Sequence, residues 1–147
     1  MNHDKVDEAV ECFEGNCNCC QSIILTYGPQ FGLTKEIGIR LGTGFAGGLA
    51  RCGEVCGAVS GAIMVLGLKH GMVNENDDEA KDRTYELVNE FINKFKEKNT
   101  HIKCRDLLEC DLGTPEGRAQ AKEKDLFNTL CPRFVRDAAM ILNELEI

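Results

Sequence analysis

Apolar residues return every three or four positions along most of the chain, the spacing of a helix with one buried face. No stretch alternates apolar and polar residues long enough to make a strand, so the pattern predicts an all-α fold. The clearest helix spans residues 77–98, where Tyr85, Val88, Phe91, Ile92 and Phe95 form the stripe while Glu86, Glu90, Lys94 and Glu97 face water. A last helix follows Pro132, with Phe134, Val135, Ala138, Ile141, Leu142 and Leu145 on one face. Residues 55–69 are apolar almost all round and predict a central, most buried helix. Its apolar run is shorter than the roughly 20 residues a bilayer crossing needs, so no membrane insertion is expected. Gly57, Ala58, Gly61 and Ala62 place small residues one turn apart on it, which suits close packing inside one subunit or a homodimer contact. Further helices are predicted over 4–14, 16–27, 34–41 and, opened by Pro115, 115–127. Nothing marks a boundary, and residues 1–147 read as a single-domain helical bundle long enough to bury a core without cross-links.

A formal net charge of −7 argues against a nucleic-acid surface, which needs clustered Lys and Arg to displace counterions from phosphates. The first eight residues are polar and acidic, unlike a secretory signal, and a cytoplasmic location is expected. That changes the meaning of the nine cysteines. In a reducing compartment thiols serve metal or electron chemistry more often than structural cross-links. Nine in 147, about 6 %, also falls below the 8–10 % of disulfide scaffolds.

Four cysteines stand at or near the start of a predicted helix: Cys17 after the capping residue Asn16, Cys56 at the head of the central helix, Cys104 before Arg105-Asp106-Leu107, and Cys131 before Pro132. Unpaired N–H groups and the helix dipole at such positions stabilise a thiolate. Convergence of all four would make a soft ligand set for an iron–sulfur cluster or tetrahedral zinc, and spacing does not choose between them. Two alternatives stay open: a cofactor-free dithiol–disulfide oxidoreductase pairing Cys17 with Cys56 and Cys104 with Cys131, and a non-catalytic binding protein with structural zinc. Cys20, one turn after Cys17, and Cys52, four residues before Cys56, are secondary candidates as ligands or resolving thiols. Cys12 reads as packed on an apolar face with Val6, Ala9 and Phe13, and Cys19 and Cys110 as structural or surface thiols.

The segments Gly15-Asn16-Cys17, Gly47-Gly48, Cys56-Gly57-Ala58-Val59-Ser60-Gly61, Cys104-Arg105-Asp106-Leu107 and Cys131-Pro132-Arg133 together resemble the redox-active C_GCAxxG_C_C family over about residues 14–145. The resemblance implies a small, mainly helical redox protein whose family cysteines are Cys17, Cys56, Cys104 and Cys131. It tilts the metal alternatives toward an iron–sulfur cluster used for electron transfer or redox sensing, with a redox protein or a small-molecule electron carrier as partner. A similar domain in split-Soret cytochromes implies a fold that holds redox centres and pairs as a homodimer. No Cys-x-x-Cys-His is present here, so covalent haem is not predicted.

Gly42-Thr43-Gly44-Phe45-Ala46-Gly47 matches the dinucleotide fingerprint in form, but it follows a predicted helix rather than a strand. It reads as a tightly turning Gly-rich loop that lets backbone approach the cysteine site. His3, His70 and His101 are too scattered for a histidine metal site. His101 and Glu54 are weak acid–base candidates beside Cys104 and Cys56.

Overall fold

The computed structural model describes residues 2–147, with side chains from Lys5 onward. The order is α1 (Asn2–Glu14), α2 (Cys19–Tyr27), α3 (Lys35–Gly42), α4 (Gly57–His70), α5 (Asp78–Asn99), α6 (Cys104–Leu108), α7 (Pro115–Glu123), α8 (Leu126–Thr129) and α9 (Cys131–Glu144). The fold is all-α. Among the described residues there is no strand, only an isolated antiparallel bridge between Val55 and Lys103.

Helix α4 packs against α2, α5 and α9. Its small residues face α2: a Cβ on Gly61 would stand 2.9 Å from the Cys20 carbonyl oxygen and 3.1 Å from Ile23 Cβ. The small-residue face is therefore consumed inside the subunit. The most buried helix is α2 rather than the expected 55–69, with seven of its nine residues buried against seven of fourteen in α4. The reason is position: α2 is covered by α1, α3, α4 and α9 together. That burial forces its polar groups to find partners, and Tyr27 Oη lies 3.0 Å from the Ala139 carbonyl and 2.9 Å from Asn143 Oδ1.

Helix α5 buries Leu87, Phe91 and Phe95, while Tyr85, expected in the stripe, is 62 % exposed. Phe91, Phe95 and Phe134 of α9 form a ring series with centroids 6.2 and 6.4 Å apart. Residues 115–127 are not one helix, because the chain breaks at Asp125, whose φ is +57°. Among the described residues no helix is long and apolar enough to cross a membrane.

The loop between α3 and α4 runs through five consecutive residues with positive φ, residues 47–51, of which only Gly47 and Gly48 are glycine. Left-handed backbone costs roughly 1–2 kcal/mol per non-glycine residue. Cross-loop bonds from Arg51 N to Ala46 O, Gly53 N to Gly47 O and Glu54 N to Gly48 O, at 3.0, 3.1 and 3.0 Å, hold it. Gly48 is required there, since a Cβ would stand 2.6 Å from Glu54 N and 2.9 Å from Cys104 Cβ.

Candidate thiol site

The Val55–Lys103 bridge brings two distant cysteines side by side. Cys56 N donates to the Ile102 carbonyl and Cys104 N donates to the Glu54 carbonyl, both at 2.7 Å. Glu54 reinforces the junction, its carboxylate accepting from Arg105 Nη2 at 2.7 Å and lying 3.8 Å from Lys103 Nζ. These ion pairs are solvent-facing and add little energy. Glu54 thus fastens backbone rather than serving a thiol, and His101 lines a different depression, with Lys98 and Arg133.

Cys56 caps α4, Cys104 opens α6 and Cys131 opens α9, one residue earlier than the Pro132 start expected. All three line one cavity of about 340 Å³. The fourth thiol in its wall is Cys19, not Cys17. Helix α2 begins after Asn18, where a full capping box forms: Asn18 Oδ1 accepts from Gln21 N at 2.8 Å and Gln21 Oε1 accepts from Asn18 N at 2.9 Å. Asn18 Nδ2 also donates to the Gly42 carbonyl at 2.9 Å, tying this end to α3. Cys19 is therefore the first helical residue, and Cys17 is left in the turn that follows α1.

There Cys17 forms a disulfide with Cys12, with Cα atoms 5.5 Å apart. Cys17 N also donates to the Cys12 carbonyl at 3.1 Å, and the pair lines a separate depression with Lys35 and Ile39. Of the four sequence candidates, the structure gathers Cys56, Cys104 and Cys131 and leaves Cys17 outside. Cys12 is cross-linked rather than packed as a free thiol. Of the secondary candidates, Cys20 is fully buried in the core and Cys52 is exposed on the loop. Cys110 is buried.

The thiols are not equivalent. The hydrogen bond from Cys56 lowers the Cys19 pKa from 9.0 to about 7, against the opposing effect of burial and with help from the Gly57 and Cys20 backbone N–H groups. Cys56 is pushed well up, first because its hydrogen is held by Cys19 and then by burial. Burial, and next the charge on Cys19, push Cys104 up to about 11 and Cys131 to about 12. Burial likewise pushes Cys20 to about 12. Near neutral pH Cys19 is thus partly ionised among protonated thiols, the asymmetry that separates an attacking sulfur from its partners.

Gly57 sits at the heart of this arrangement. A Cβ there would fall on Cys19 Sγ and stand 3.0 Å from both Cys20 N and the Phe45 carbonyl oxygen. The missing side chain is what lets the head of α4 offer its N–H to the Cys19 sulfur. A four-sulfur metal site needs tetrahedral ligation by converging thiolates. Among the described residues no three His, Cys, Asp or Glu side chains are arranged to hold a metal ion. As placed, the four thiols share a cavity wall without forming such a ligand set.

A family model described as "Putative redox-active protein (C_GCAxxG_C_C)" matches residues 17–145. No curated protein and no solved structure matches the chain.

Proposed function

The chain belongs to the C_GCAxxG_C_C family of redox-active proteins, and we propose that it works as a thiol–disulfide redox protein, with Cys19 as the attacking thiolate and Cys56 as its exchange partner. The observation that carries this reading is the gathering of Cys19, Cys56, Cys104 and Cys131 on one cavity wall with the head of α4 against the Cys19 sulfur, where the hydrogen bond from Cys56 lowers the Cys19 pKa to about 7. A thiolate is the species that attacks a disulfide, and an attacking thiol is most effective with its pKa near ambient pH. Cys19 attacks one sulfur of a substrate disulfide, whose other sulfur leaves as a thiolate and takes up a proton. Cys56 then gives up its proton and attacks Cys19, closing a Cys19–Cys56 disulfide and releasing the second substrate thiol. Two electrons pass from the protein dithiol to the substrate. Cys104 and Cys131 stand at the same cavity as protonated thiols able to take over the bridge in a later exchange.

Oxidising the reduced protein with one equivalent of a small disulfide and mapping its peptides tests the proposal. Beside the Cys12–Cys17 disulfide, a Cys19–Cys56 bridge is the expected first new product, and formation at the cavity of a bridge among Cys56, Cys104 and Cys131 that omits Cys19 refutes it. The four thiols on one cavity wall support a second reading, ligation of an iron–sulfur cluster or zinc by Cys19, Cys56, Cys104 and Cys131, which requires the sulfurs to draw into a tighter set than they form here. Stoichiometric iron or zinc in protein purified without oxygen, lost on Cys19→Ser, would favour that reading over the dithiol.

A further inference from the structure

The thiol cavity carries a second kind of chemistry that the redox exchange does not use. Its walls are mainly apolar, with Phe13, Leu108, Leu112, Phe127 and Phe134 among the lining side chains. Arg51, Arg118 and Lys122 also line it, and among the described residues no carboxylate does. The three cations converge from two elements. Arg118 Nη1 donates to the Leu112 carbonyl at 2.9 Å, and a Cβ on the adjacent Gly113 would stand 3.4 Å from the Arg51 carbonyl oxygen. Lys122 follows Arg118 by four residues on α7, on the same helix face. The nearest acid in that turn, Asp111, accepts from Gly113 N at 2.9 Å. Arg51 and Lys122 are exposed and Arg118 half-buried, so positive charge sits at the mouth and apolar surface lies within.

We propose that this cavity binds a small organic acid with an apolar body that carries a disulfide, its carboxylate held by Arg51, Arg118 and Lys122 and its sulfurs turned toward Cys19. The inference rests on the thiol–disulfide reading above and names its substrate class. A volume of about 340 Å³ lies at the small end of ligand pockets, enough for a medium-length aliphatic acid and too small for a folded partner. An apolar body gains by leaving water for the aromatic and leucine walls, while the carboxylate is paired where the cations stand. The electrons balance without a further redox reagent: the ligand S–S bond breaks, the Cys19–Cys56 bond forms, and the ligand leaves as its dithiol, one proton coming from Cys56 and the other from water, since Cys19 attacks as the thiolate.

Lipoate, an eight-carbon acid with a cyclic disulfide, serves as the probe, beside its neutral amide lipoamide and the sulfur-free acid octanoate. Binding to the reduced full chain is measured by calorimetry, and bridge formation by peptide mapping. Octanoate and lipoate should bind, lipoamide at least about tenfold more weakly than lipoate, and only the disulfides should generate the Cys19–Cys56 bridge. The Arg51→Gln/Lys122→Gln double variant should weaken lipoate binding by a similar factor. If that variant does not fold, as judged by its thermal melt, the lipoate-to-lipoamide ratio on the parent protein decides. Equal affinity for lipoate and lipoamide overturns the proposal, as does failure of octanoate to bind. A Cys19–Cys56 bridge formed by other disulfides with no octanoate binding would overturn the acid site alone and leave the dithiol reading standing. Binding of lipoate without its reduction would overturn the disulfide assignment.

Discussion

Replacing Cys56 by Ala removes the largest single cause of the low Cys19 pKa. What remains is burial, which raises it, and the Gly57, Cys20 and Cys19 N–H groups, which lower it. These oppose each other, so the Cys19 pKa should return from about 7 to near its ordinary 9.0. At pH 7 the thiolate fraction then falls from about a half to about one in a hundred, a loss of roughly fifty-fold. Part of that loss is recovered because a more basic thiolate is the better nucleophile. With a Brønsted coefficient of about 0.4–0.5, two pKa units return a factor of roughly 6–10.

The variant should therefore exchange with a small aromatic disulfide about five to eight times more slowly at pH 7, yet faster than the parent by roughly 6–10-fold near pH 10, where both sulfurs are largely ionised. The two rate–pH curves must cross between those limits. Following the Cys19 peptide by mass spectrometry keeps Cys104 and Cys131 out of the measurement. Cys56→Ser, whose hydroxyl can still donate, should give an intermediate midpoint. Superimposed profiles, or a variant slower at every pH, would refute the argument that Cys56 holds the Cys19 thiolate.

Gly57→Ala should cost about 1–3 kcal/mol in a denaturant titration and raise the midpoint of Cys19 reactivity, because the new methyl falls on Cys19 Sγ between fixed backbone at Cys20 and Phe45; an unshifted midpoint would mean the sulfur simply moves aside. A depressed thiol pKa contributes stability that is present above the unfolded value of 9.0 and lost as pH falls through about 7. The reduced parent should thus gain on the order of 1–2 kcal/mol relative to Cys19→Ser between pH 7 and 9, and an unchanged difference would count against the shift. Tyr27→Phe should lose about 1–2 kcal/mol, since the Ala139 carbonyl and Asn143 Oδ1 would face a buried ring edge. Gly61→Leu should lose about 1–3 kcal/mol against the Cys20 carbonyl 2.9 Å away, and a change of a few tenths would place that face in solvent.

Helix existence was legible because periodicity reports burial directly. Residues 77–98 and the stretch after Pro132 match α5 and α9 closely, and the small residues of α4 do mark a close contact. Less legible was what covers what. Tyr85 falls on the apolar stripe of α5 by spacing but projects beyond the edge of its neighbours, whereas Leu87 is 4 % exposed. Burial of α2 could not be read from its sequence, where Gln21, Ser22 and Thr26 look like a solvent face. Their burial is tolerated because each finds a partner: Gln21 Nε2 donates across to the Ile39 carbonyl of α3 at 2.9 Å, while Ser22 Oγ and Thr26 Oγ1 donate within α2 to the Cys19 and Ser22 carbonyls, each at 2.8 Å. Likewise, no pattern in residues 54–56 or 102–104 announces a bridge, since pairing of two single residues is a property of the assembled chain.

The misplacement of the first thiol has a sharper cause, because the sequence did carry the signal that corrects it. Both Asn16 and Asn18 are competent N-caps, but only one is followed three residues later by a side chain that can bond back. Position 19 after Asn16 is a cysteine, while position 21 after Asn18 is a glutamine, which completes the reciprocal box. A helix start set by Asn18 puts Cys19, not Cys17, over the free N–H groups of α2 and beside the head of α4. Cys17 then lies ahead of the cap, in the turn after α1, where its N–H bonds the Cys12 carbonyl at 3.1 Å and its sulfur joins Cys12. A helix start stabilises the thiolate at Cys19, where the Gly57 and Cys20 N–H groups lower the pKa, but not at Cys104 and Cys131, which also open helices and are pushed up by burial and by the charge on Cys19. The same reasoning identifies why Gly57 follows Cys56: two helices can present their first turns to one sulfur only where one of them lacks a side chain at the point of approach.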